Sequence, residues 1–546
     1  STGIAGDFAT INNSGTITMS GNRLTGIFAA NGSEVTNTGT INVNTAGTGN
    51  SGVGIYGTNQ FDGTAVSYGT GKINIINAGT ITYNGSNNSS GAGIYVDNNN
   101  SLTDSTVTLN TGSNIDMSGS STGVGVFADN SVININDGTI NVNSTTGIYA
   151  IGGSQINASA GTIKIGSSGV CVYLAGNSQY NETGAQTTKF VITDDGASLF
   201  SVEAGSTFNL SAANIDNTTS MVISPYKFIM GSVGDIAYTF NSTANIGNVE
   251  NATIFGTGGG VILLDTFSNL ISAGDNTIGV GVGAPKNASV SYISGSYEVI
   301  NDGKIVLTGN KSTGIYSKGG AKALNSYLIS IGKNSAGMYT AGTDSVVQNN
   351  GNIIIGEGSV ALYSSASKSV LTEAGAINNG NITSQQITPG VYSDNVTGIY
   401  ITTDNEGYQN NGTINFSGNW STGIFNEGNF SMTGGTVTLQ SLGGVAVYSK
   451  GQNAYTEISG GTIEAQSGSV ALYADDSTIK VSGGTFNIGA DGLLMYNYSS
   501  GGLGALGQLD ISNTPTAAIH NGGMAFYVEG ETLTGISGIL NNLVSA

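Results

Sequence analysis

The chain has 546 residues, of which 87 are glycine and 4 are proline, and its formal net charge is −20. Only 9% of residues are charged and 38% are hydrophobic, a composition that excludes a disordered chain. Arg23 is the only arginine, which excludes a nucleic-acid partner because phosphate binding needs clustered Lys and Arg. The single cysteine, Cys171, lies in an apolar run, and we interpret it as a small buried hydrophobe.

Two short phrases recur along the chain. The first is Gly-Thr-Ile followed by alternating residues, at residues 15–17, 39–41, 79–81, 138–140, 161–163, 412–414 and 461–463. The second is a small residue, an aliphatic and an aromatic, at residues 26–28, 54–56, 93–95, 147–149, 314–316, 361–363 and 471–473. Each phrase is typical of a short strand, and a weaker strand precedes the first phrase, as at residues 132–135.

The spacing of the phrases indicates a solenoid. Where the pattern is clean, the first phrase returns every 23 to 26 residues, and no apolar stripe with helical spacing is present. We predict an all-β fold, a right-handed parallel β-helix with three short strands per coil, forming an elongated rod with loop insertions. Coils stacked about 4.8 Å apart would make roughly twenty coils a rod on the order of 100 Å long.

An asparagine recurs two residues before the glycine that opens a strand. We expect these residues to tolerate a left-handed backbone and to stack as a hydrogen-bonded ladder. They are Asn13, Asn37, Asn77, Asn136, Asn301, Asn349, Asn378 and Asn410. Near the C-terminus the turn becomes Ser or Thr before Gly-Gly, at residues 433–435, 459–461 and 482–484, which predicts a different corner.

Regularity predicts three regions. Regular coils are expected over residues 1–173 and 301–546, and irregular coils with larger loops over residues 174–300. Further insertions fall at residues 57–72, 96–111 and 372–397. Loops on a rigid scaffold often carry binding function, so the middle region is a candidate binding region; drifted repeats are the alternative interpretation.

The combination of Asn-x-Gly-Thr-Ile with Ser-Thr-Gly-Ile-Tyr, as at residues 312–316, resembles the passenger repeats of large autotransporter (type V secreted) adhesins of Gram-negative bacteria. The resemblance is closest to fusobacterial outer-membrane adhesins and covers nearly the whole chain. It implies an extracellular β-helical passenger, anchored to the outer membrane by a C-terminal barrel absent here. It also implies attachment to host cells or other bacteria through a receptor protein or glycan. Because residues 1–4 repeat the interior phrase Ser-Thr-Gly-Ile, we expect a fragment cut in mid-repeat.

The sequence contains few residues that could carry out catalysis. A hydrolytic nucleophile needs a base, and the only histidine is His520. The conspicuous acidic pairs, at residues 194–195 and 475–476, are interpreted as exposed turns. No zinc-ligand spacing or acidic calcium-binding repeat occurs, so we expect no catalytic residue, cofactor or metal and no enzyme. A β-helical polysaccharide-degrading enzyme remains a distant alternative, because one fold hosts many functions.

Adjacent aliphatic and aromatic residues in the second phrase must point to opposite faces, so one apolar row faces outward. We favour aliphatic residues in the core and an external aromatic ladder; the opposite register is the alternative. The ladder would comprise Phe28, Tyr56, Tyr95, Phe127, Tyr149, Tyr316, Tyr339, Tyr363, Tyr400, Phe425, Tyr448 and Tyr473. Such a stripe indicates either a contact surface or aromatic stacking that stabilises the coils.

Trp420 is the leading candidate for ligand contact. It occupies the third position of a Gly-Asn-X turn. In two other copies of this turn, the same position is held by Arg23 and Lys311. An exposed tryptophan on a turn could stack on a sugar or anchor a protein, or it could fold onto its own coil. Tyr226 and Lys227, in the irregular region, are further candidates. We predict an adhesin fragment; the alternatives are a purely structural stalk and a self-associating segment.

Overall fold

The structure is a computed structural model. It describes residues 1–45, 50–59, 71–85, 90–98, 105–120, 122–166, 169–183, 188–192, 198–203, 206–209, 214–216, 226–231, 237–240, 243–248, 250–257, 261–282, 298–367, 375–402, 408–440, 442–466, 468–498, 508–511 and 515–529. The chain forms two compact units, a first unit Ser1–Ile271 and a second unit Ser272–Ala546.

A coil contributes one strand to each of three parallel sheets. In chain order we call these the Asn sheet, whose strands often end in asparagine, the Thr-Ile sheet, which carries the first phrase, and the aromatic sheet, which carries the second. The described residues contain no helix. The all-β solenoid with three strands per coil is therefore confirmed, while its right-handed winding stays a prediction.

In the first unit, short strands build each sheet. The Asn sheet contains Thr10–Asn13, Glu34–Asn37, Asn74–Asn77, Ser105–Leu109, Ser131–Ile135, Gln155–Ala158, Gln179–Glu182 and Thr207–Asn209, followed by Ala237–Phe240 and Val261–Leu264. The Thr-Ile sheet contains Thr16–Gly21, Thr40–Thr45, Thr80–Gly85, Asn114–Asp116, Thr139–Asn141, Thr162–Ile165, Lys189–Ile192 and Asn214–Asp216, followed by Thr243–Asn245 and Asn269–Ser272. The aromatic sheet contains Thr2–Asp7, Leu24–Ala30, Ser51–Thr58, Ser90–Asp97, Val124–Asp129, Thr146–Ile151, Val170–Leu174, Ser198–Val202, Tyr226–Gly231 and Ala252–Thr257.

The second unit repeats this plan. Its Asn sheet contains Val299–Asn301, Lys322–Asn325, Val346–Asn349, Ala376–Asn378, Tyr408–Asn410, Asn429–Met432, Tyr455–Ile458, Thr478–Val481 and Gln508–Ile511. Its Thr-Ile sheet contains Lys304–Leu307, Leu328–Ile331, Asn352–Ile355, Asn381–Ser384, Thr413–Phe416, Thr436–Leu439, Thr462–Ala465, Thr485–Ile488 and Thr516–Ile519. Its aromatic sheet contains Ile278–Val282, Thr313–Lys318, Ala336–Thr343, Val360–Ser367, Thr397–Ile401, Thr422–Asn426, Val445–Lys450, Val470–Asp475, Leu493–Tyr498 and Met524–Glu529.

Among the described residues of the second unit, one pair of strands forms an antiparallel hairpin. Gln386–Thr388 pairs with Val391–Tyr392, inside the insertion predicted over residues 372–397. The boundary between the two units falls within the region predicted to be irregular, residues 174–300. The division of the chain into three regions stays a prediction.

Aliphatic side chains from all three sheets fill the centre of a coil. In the coil that begins at residue 34, Val35, Ile41, Val43 and Ile55 are at most 1% exposed. Full burial of such side chains contributes about 1.5–3 kcal/mol each. The alternation of strand residues therefore supplies a continuous core from very short strands.

The small residue of the second phrase makes room for the isoleucine of the first. A Cβ on Gly54 would lie 2.5 Å from Ile81 Cγ2, and one on Gly314 would lie 2.7 Å from Ile329 Cγ2. Each isoleucine belongs to the following coil. Cys171 occupies this small-residue position in its strand and is fully buried, which raises the pKa of its thiol. Its interpretation as a small core residue therefore agrees with the structure.

The glycine of the first phrase is required by a close backbone approach. A Cβ on Gly39 would lie 2.1 Å from the carbonyl oxygen of Gly15, and one on Gly380 would lie 2.1 Å from that of Gly351. In the Ser/Thr-Gly-Gly turns the second glycine has a positive φ, 73° at Gly435, but Gly138 of the first unit also has a positive φ, 98°. The different corner predicted near the C-terminus therefore stays a prediction.

A buried asparagine ladder lies at the end of the Asn sheet. In the second unit Nδ2 of each residue donates to Oδ1 of the next at 2.7, 2.7, 2.8 and 2.8 Å, along Asn301, Asn325, Asn349, Asn378 and Asn410. In the first unit the chain of bonds runs from Asn13 to Asn37 and Asn77, at 2.7 Å each, and then to Ser113 Oγ at 2.7 Å. Asn325 was not predicted, because no Gly follows it two residues later.

Two expectations about these asparagines are wrong. Asn136 lies outside the buried ladder, because the sheet register places Ile135 level with Leu109, and Leu109 level with Asn77. Asn136 instead donates to Asn110 on the exposed surface. The ladder residues also lack the positive φ we expected; described asparagines with positive φ, such as Asn334 at 51°, lie at other corners.

Candidate functional site: the aromatic ladder and the Trp420 corner

The aromatic residues form two continuous columns of rings, one in each unit. In the first unit, neighbouring ring centroids are 4.4–5.5 Å apart along Phe28, Tyr56, Tyr95, Phe127, Tyr149 and Tyr173. In the second unit they are 4.5–5.3 Å apart along Tyr316, Tyr339, Tyr363, Tyr400, Phe425, Tyr448, Tyr473, Tyr496 and Tyr527. All twelve residues predicted for the ladder belong to these columns. Tyr173, Tyr496 and Tyr527 were missed, although each follows an apolar residue in the same way.

The rings face outward. Ile27 and Ile315 are fully buried, whereas the adjacent Phe28 and Tyr316 are partly exposed. The burial pattern of Thr313–Lys318 puts two consecutive buried residues, Gly314 and Ile315, before the outward tyrosine. The register with aromatics in the core is therefore not adopted. We call these columns the aromatic ladder.

Carboxylates lie beside several tyrosine hydroxyls. Tyr448 donates to Asp475 Oδ2 at 2.8 Å, and Tyr400 donates to Glu427 Oε2 at 3.2 Å. Each acceptor belongs to the following coil. Burial, and then the charge of Glu427, raise the pKa of Tyr400 from its ordinary value of 10.0 to about 12. The phenol therefore stays protonated and can donate throughout the physiological pH range.

The Trp420 backbone adopts a left-handed conformation, with φ 56°. Arg23 and Lys311, in the matching turns, have φ 50° and 54°. The indole lies against Gly443 of the next coil, where a Cβ would be 2.4 Å from Trp420 Cε3, and it remains 64% exposed. Trp420 is thus both folded against the next coil and open to solvent.

Asparagine is one of the residues that other coils place at this corner. Asn395, with φ 55°, donates its N–H to the Asn419 carbonyl at 2.9 Å, directly before Trp420 in the column. Trp420 N donates to the Leu442 carbonyl at 3.0 Å. A bulky side chain in this conformation is uncommon, and such strain costs on the order of 1 kcal/mol. The Gly-Asn-X turn in the sequence indicated that these corners are equivalent, but it did not indicate that the third residue adopts a left-handed backbone.

His520, the two acidic pairs, Tyr226 and Lys227 are the other residues that the sequence singled out. Tyr226 and Lys227 lie in the strand Tyr226–Gly231, and their side chains lie outside the described residues. His520 is exposed in the turn that follows Thr516–Ile519. Asp475 accepts the Tyr448 hydrogen bond, while Asp476 occupies a turn with φ 51°. The acidic pair at residues 194–195 also lies outside the described residues.

Within the described ranges, no group of three or more His, Cys, Asp or Glu side chains could hold a metal ion. Those ranges likewise contain no helix that is long and apolar enough to cross a membrane. Comparison with known proteins found no matching family model, no matching curated protein and no matching solved structure.

Proposed function

We propose that this chain is the passenger part of a surface adhesin that attaches to host cells or other bacteria through a receptor protein or glycan. The observation that carries the proposal is the outward aromatic ladder, which presents partly exposed rings in consecutive coils. Aromatic side chains are enriched where proteins contact their partners, because they offer a large contact area at low entropic cost. The resemblance of the repeats to autotransporter passengers supports the same function.

In this proposal the chain lies outside the cell, at the bacterial surface. It binds its partner without catalysing a reaction and without a cofactor. A rigid solenoid suits attachment, because groups held by neighbouring coils lose little conformational entropy when a partner binds.

A structural stalk is the second candidate, and the ladder itself provides the observation that favours it. Tyr339 and Tyr400 both contact Tyr363, with ring centroids 4.8 and 5.0 Å away, and Tyr400 is hydrogen-bonded to Glu427. Ring contacts of this kind stabilise neighbouring strands without any partner. The two functions differ in whether the exposed ring edges are needed for binding.

The test is binding of labelled chain to epithelial cells and to partner bacteria, with unlabelled chain and soluble sugars as competitors. Saturable binding that unlabelled chain displaces is the expected result. The double variant Tyr339→Ser with Tyr363→Ser should weaken it by about tenfold or more, as for contact residues at a binding hot spot. The control is Asn350→Ser with Asn379→Ser, which alters an exposed amide pair joined at 3.1 Å in the coil of Tyr363 and the coil after it. Absence of saturable binding, or equal binding by both double variants, would favour the stalk.

A further inference from the structure

A cluster of exposed apolar side chains lies at the Trp420 corner. Ile387 and Val391 of the hairpin are 57% and 52% exposed, Trp420 is 64% exposed and Leu442 is 60% exposed. We call these four residues the corner patch. Large apolar side chains exposed together, rather than singly, mark an interaction site in soluble proteins.

Three successive coils bring the corner patch together. The hairpin closes where Ser393 N donates to the Gln385 carbonyl at 2.9 Å. Ser417 N, in the next coil, donates to Ser384 Oγ at 3.2 Å, which aligns the start of the hairpin with the turn that leads to Trp420. Trp420 N then donates to the Leu442 carbonyl at 3.0 Å. The patch residues therefore lie at the same corner of the solenoid despite their separation in sequence.

The polar groups at this corner already bond to one another. Asn419 N donates to Asp394 Oδ1 at 2.6 Å, and Asn419 Oδ1 accepts from Leu442 N at 3.3 Å. Ser417 Oγ donates to Gln440 Oε1 at 3.0 Å. A sugar needs convergent polar groups as well as an aromatic face, whereas here internal bonds engage those groups and three of the four exposed side chains are aliphatic. The corner therefore favours a protein partner over a glycan.

Charge indicates what kind of protein fits. The coils that carry the patch, over the described residues 375–402, 408–440 and 442–466, contain one lysine, Lys450. Their acidic residues are Asp394, Glu427, Glu457 and Glu464, of which Glu457 forms an ion pair with Lys480 of the next coil at 2.9 Å. A second copy of this chain would bring the same excess of negative charge, and the whole chain carries a formal net charge of −20. Complementary potential favours association with a basic partner and opposes self-association.

We propose that the corner patch docks a basic protein segment, which places an apolar side chain against the Trp420 indole between the hairpin and Leu442. The left-handed backbone of Trp420 and its packing on Gly443 hold the indole in place before binding, which lowers the entropic cost of association. This inference deepens the attachment function proposed above and rests on it.

The experiment uses the full chain and three synthetic twelve-residue peptides, alternating Lys with Leu, Glu with Leu, and Lys with Ser. Trp420 is the only tryptophan, so its fluorescence reports directly on the patch, and anisotropy of labelled peptide gives the affinity in every variant. We expect the Lys-Leu peptide to shift Trp420 fluorescence saturably, with the other two binding at least about tenfold more weakly. Added salt should weaken the binding.

Trp420→Asn tests the patch without disturbing the fold, because asparagine holds the same corner position at Asn395. We expect it, and the pair Ile387→Ser with Val391→Ser, to weaken Lys-Leu peptide binding about tenfold or more. The matched control is Phe8→Asn, which replaces another exposed aromatic residue of positive φ, 69% exposed and with φ 50°, in the first unit. That control should bind the peptide normally.

Four outcomes would overturn the proposal: unchanged affinity in Trp420→Asn, equal binding of the Glu-Leu peptide, a fluorescence shift caused by soluble sugars instead of peptide, or patch-dependent oligomers in ultracentrifugation. Cell binding separates this proposal from the attachment function. If cells bind the wild-type chain and Trp420→Asn equally, the docking role of the corner patch is rejected and the attachment function is retained. Absence of any saturable cell binding would remove the adhesin itself.

Discussion

Two ladders run through the same coils of the second unit, one of buried amides and one of outward aromatic rings. The asparagine ladder is polar yet fully buried, with Asn325, Asn349 and Asn378 at 0% exposure. The aromatic ladder is apolar yet partly exposed. In each case a side chain contacts the equivalent side chain of the next coil. The buried amide therefore finds its hydrogen-bond partner there instead of in solvent, and the outward ring finds its apolar contact there instead of in the core. The neighbour along the stack can therefore decide residue type in a solenoid as strongly as burial does.

The two ladders differ in what their neighbours supply. Buried amides must find hydrogen-bond partners, because an unsatisfied buried polar group costs about 1–3 kcal/mol. The second-unit ladder has such atoms only at its ends, Asn301 Oδ1 and Asn410 Nδ2, which have no partner in the described part of the chain. Outward rings need only contact, and their interplanar angles range from 4° to 88° in the second unit. Amide geometry is therefore constrained far more tightly than ring geometry.

The largest effect is expected from breaking the buried ladder. Asn349→Ala leaves Asn378 Oδ1 without its donor and leaves Asn325 Nδ2 with only a longer bond, 3.4 Å, to the Asn352 carbonyl. One buried orphan, one weakened donor and the lost amide packing should together lower the free energy of unfolding by about 4 kcal/mol. Urea denaturation followed by Trp420 fluorescence measures the loss within the same unit. The control is Asn379→Ala on the exposed surface, expected to cost less than about 0.5 kcal/mol. Equal losses would show that the buried amides need no mutual bonding.

A smaller loss of stability is expected from a substitution that forces neighbouring coils apart, because both ladders depend on the same spacing between coils. Gly337→Val would place a Cβ 2.6 Å from the Ala361 carbonyl oxygen and 2.8 Å from Ile353 Cγ2. Overpacking of this kind should cost about 3 kcal/mol in the same denaturation measurement. Ala361→Gly, at the equivalent position one coil later, should cost about 1 kcal/mol or less. A harmless Gly337→Val would mean that the coils can separate freely.

The aromatic ladder should tolerate interruption better. Tyr363→Ala removes ring contacts to Tyr339 and Tyr400, and at about 0.5–1.5 kcal/mol for each aromatic pair the loss should be about 2 kcal/mol. Tyr363→Phe retains the ring, so its free energy of unfolding should lie within about 0.5 kcal/mol of the wild-type value. A Tyr363→Phe loss as large as that of Tyr363→Ala would assign the stability to the hydroxyl group instead of the ring.

The smallest effect should be a pH dependence of the outer ladder. The pKa of Tyr400 is about 12 in the folded chain, against an ordinary value of 10.0, because of burial and the Glu427 carboxylate. A raised folded-state pKa means that its contribution is complete below pH 10 and is lost as pH rises towards 12. Near-ultraviolet absorbance of tyrosinate, compared between wild type and Tyr400→Phe, measures the titration. Glu427→Gln should lower this pKa; a difference spectrum that titrates near 10 in wild type would contradict the expectation.

The sequence by itself determined the coil. Short alternating phrases at a period of 23 to 26 residues can bury their aliphatic residues only when strands stack in parallel, and glycine is required where backbones touch. The repeat also predicted most of the asparagine ladder, because equivalent turns of successive coils stack directly on one another. It failed at Asn136, where the register places Ile135 at the ladder position.

Only the tertiary structure decided which apolar row faces outward, because Gly314 and Ile315 are buried in succession and break simple alternation. It also decided that the hairpin, Trp420 and Leu442 share one corner. These placements depend on hydrogen bonds between successive coils, such as that from Asn395 N to the Asn419 carbonyl. Local patterns specify which residues prefer burial, whereas the register between coils specifies which residues meet.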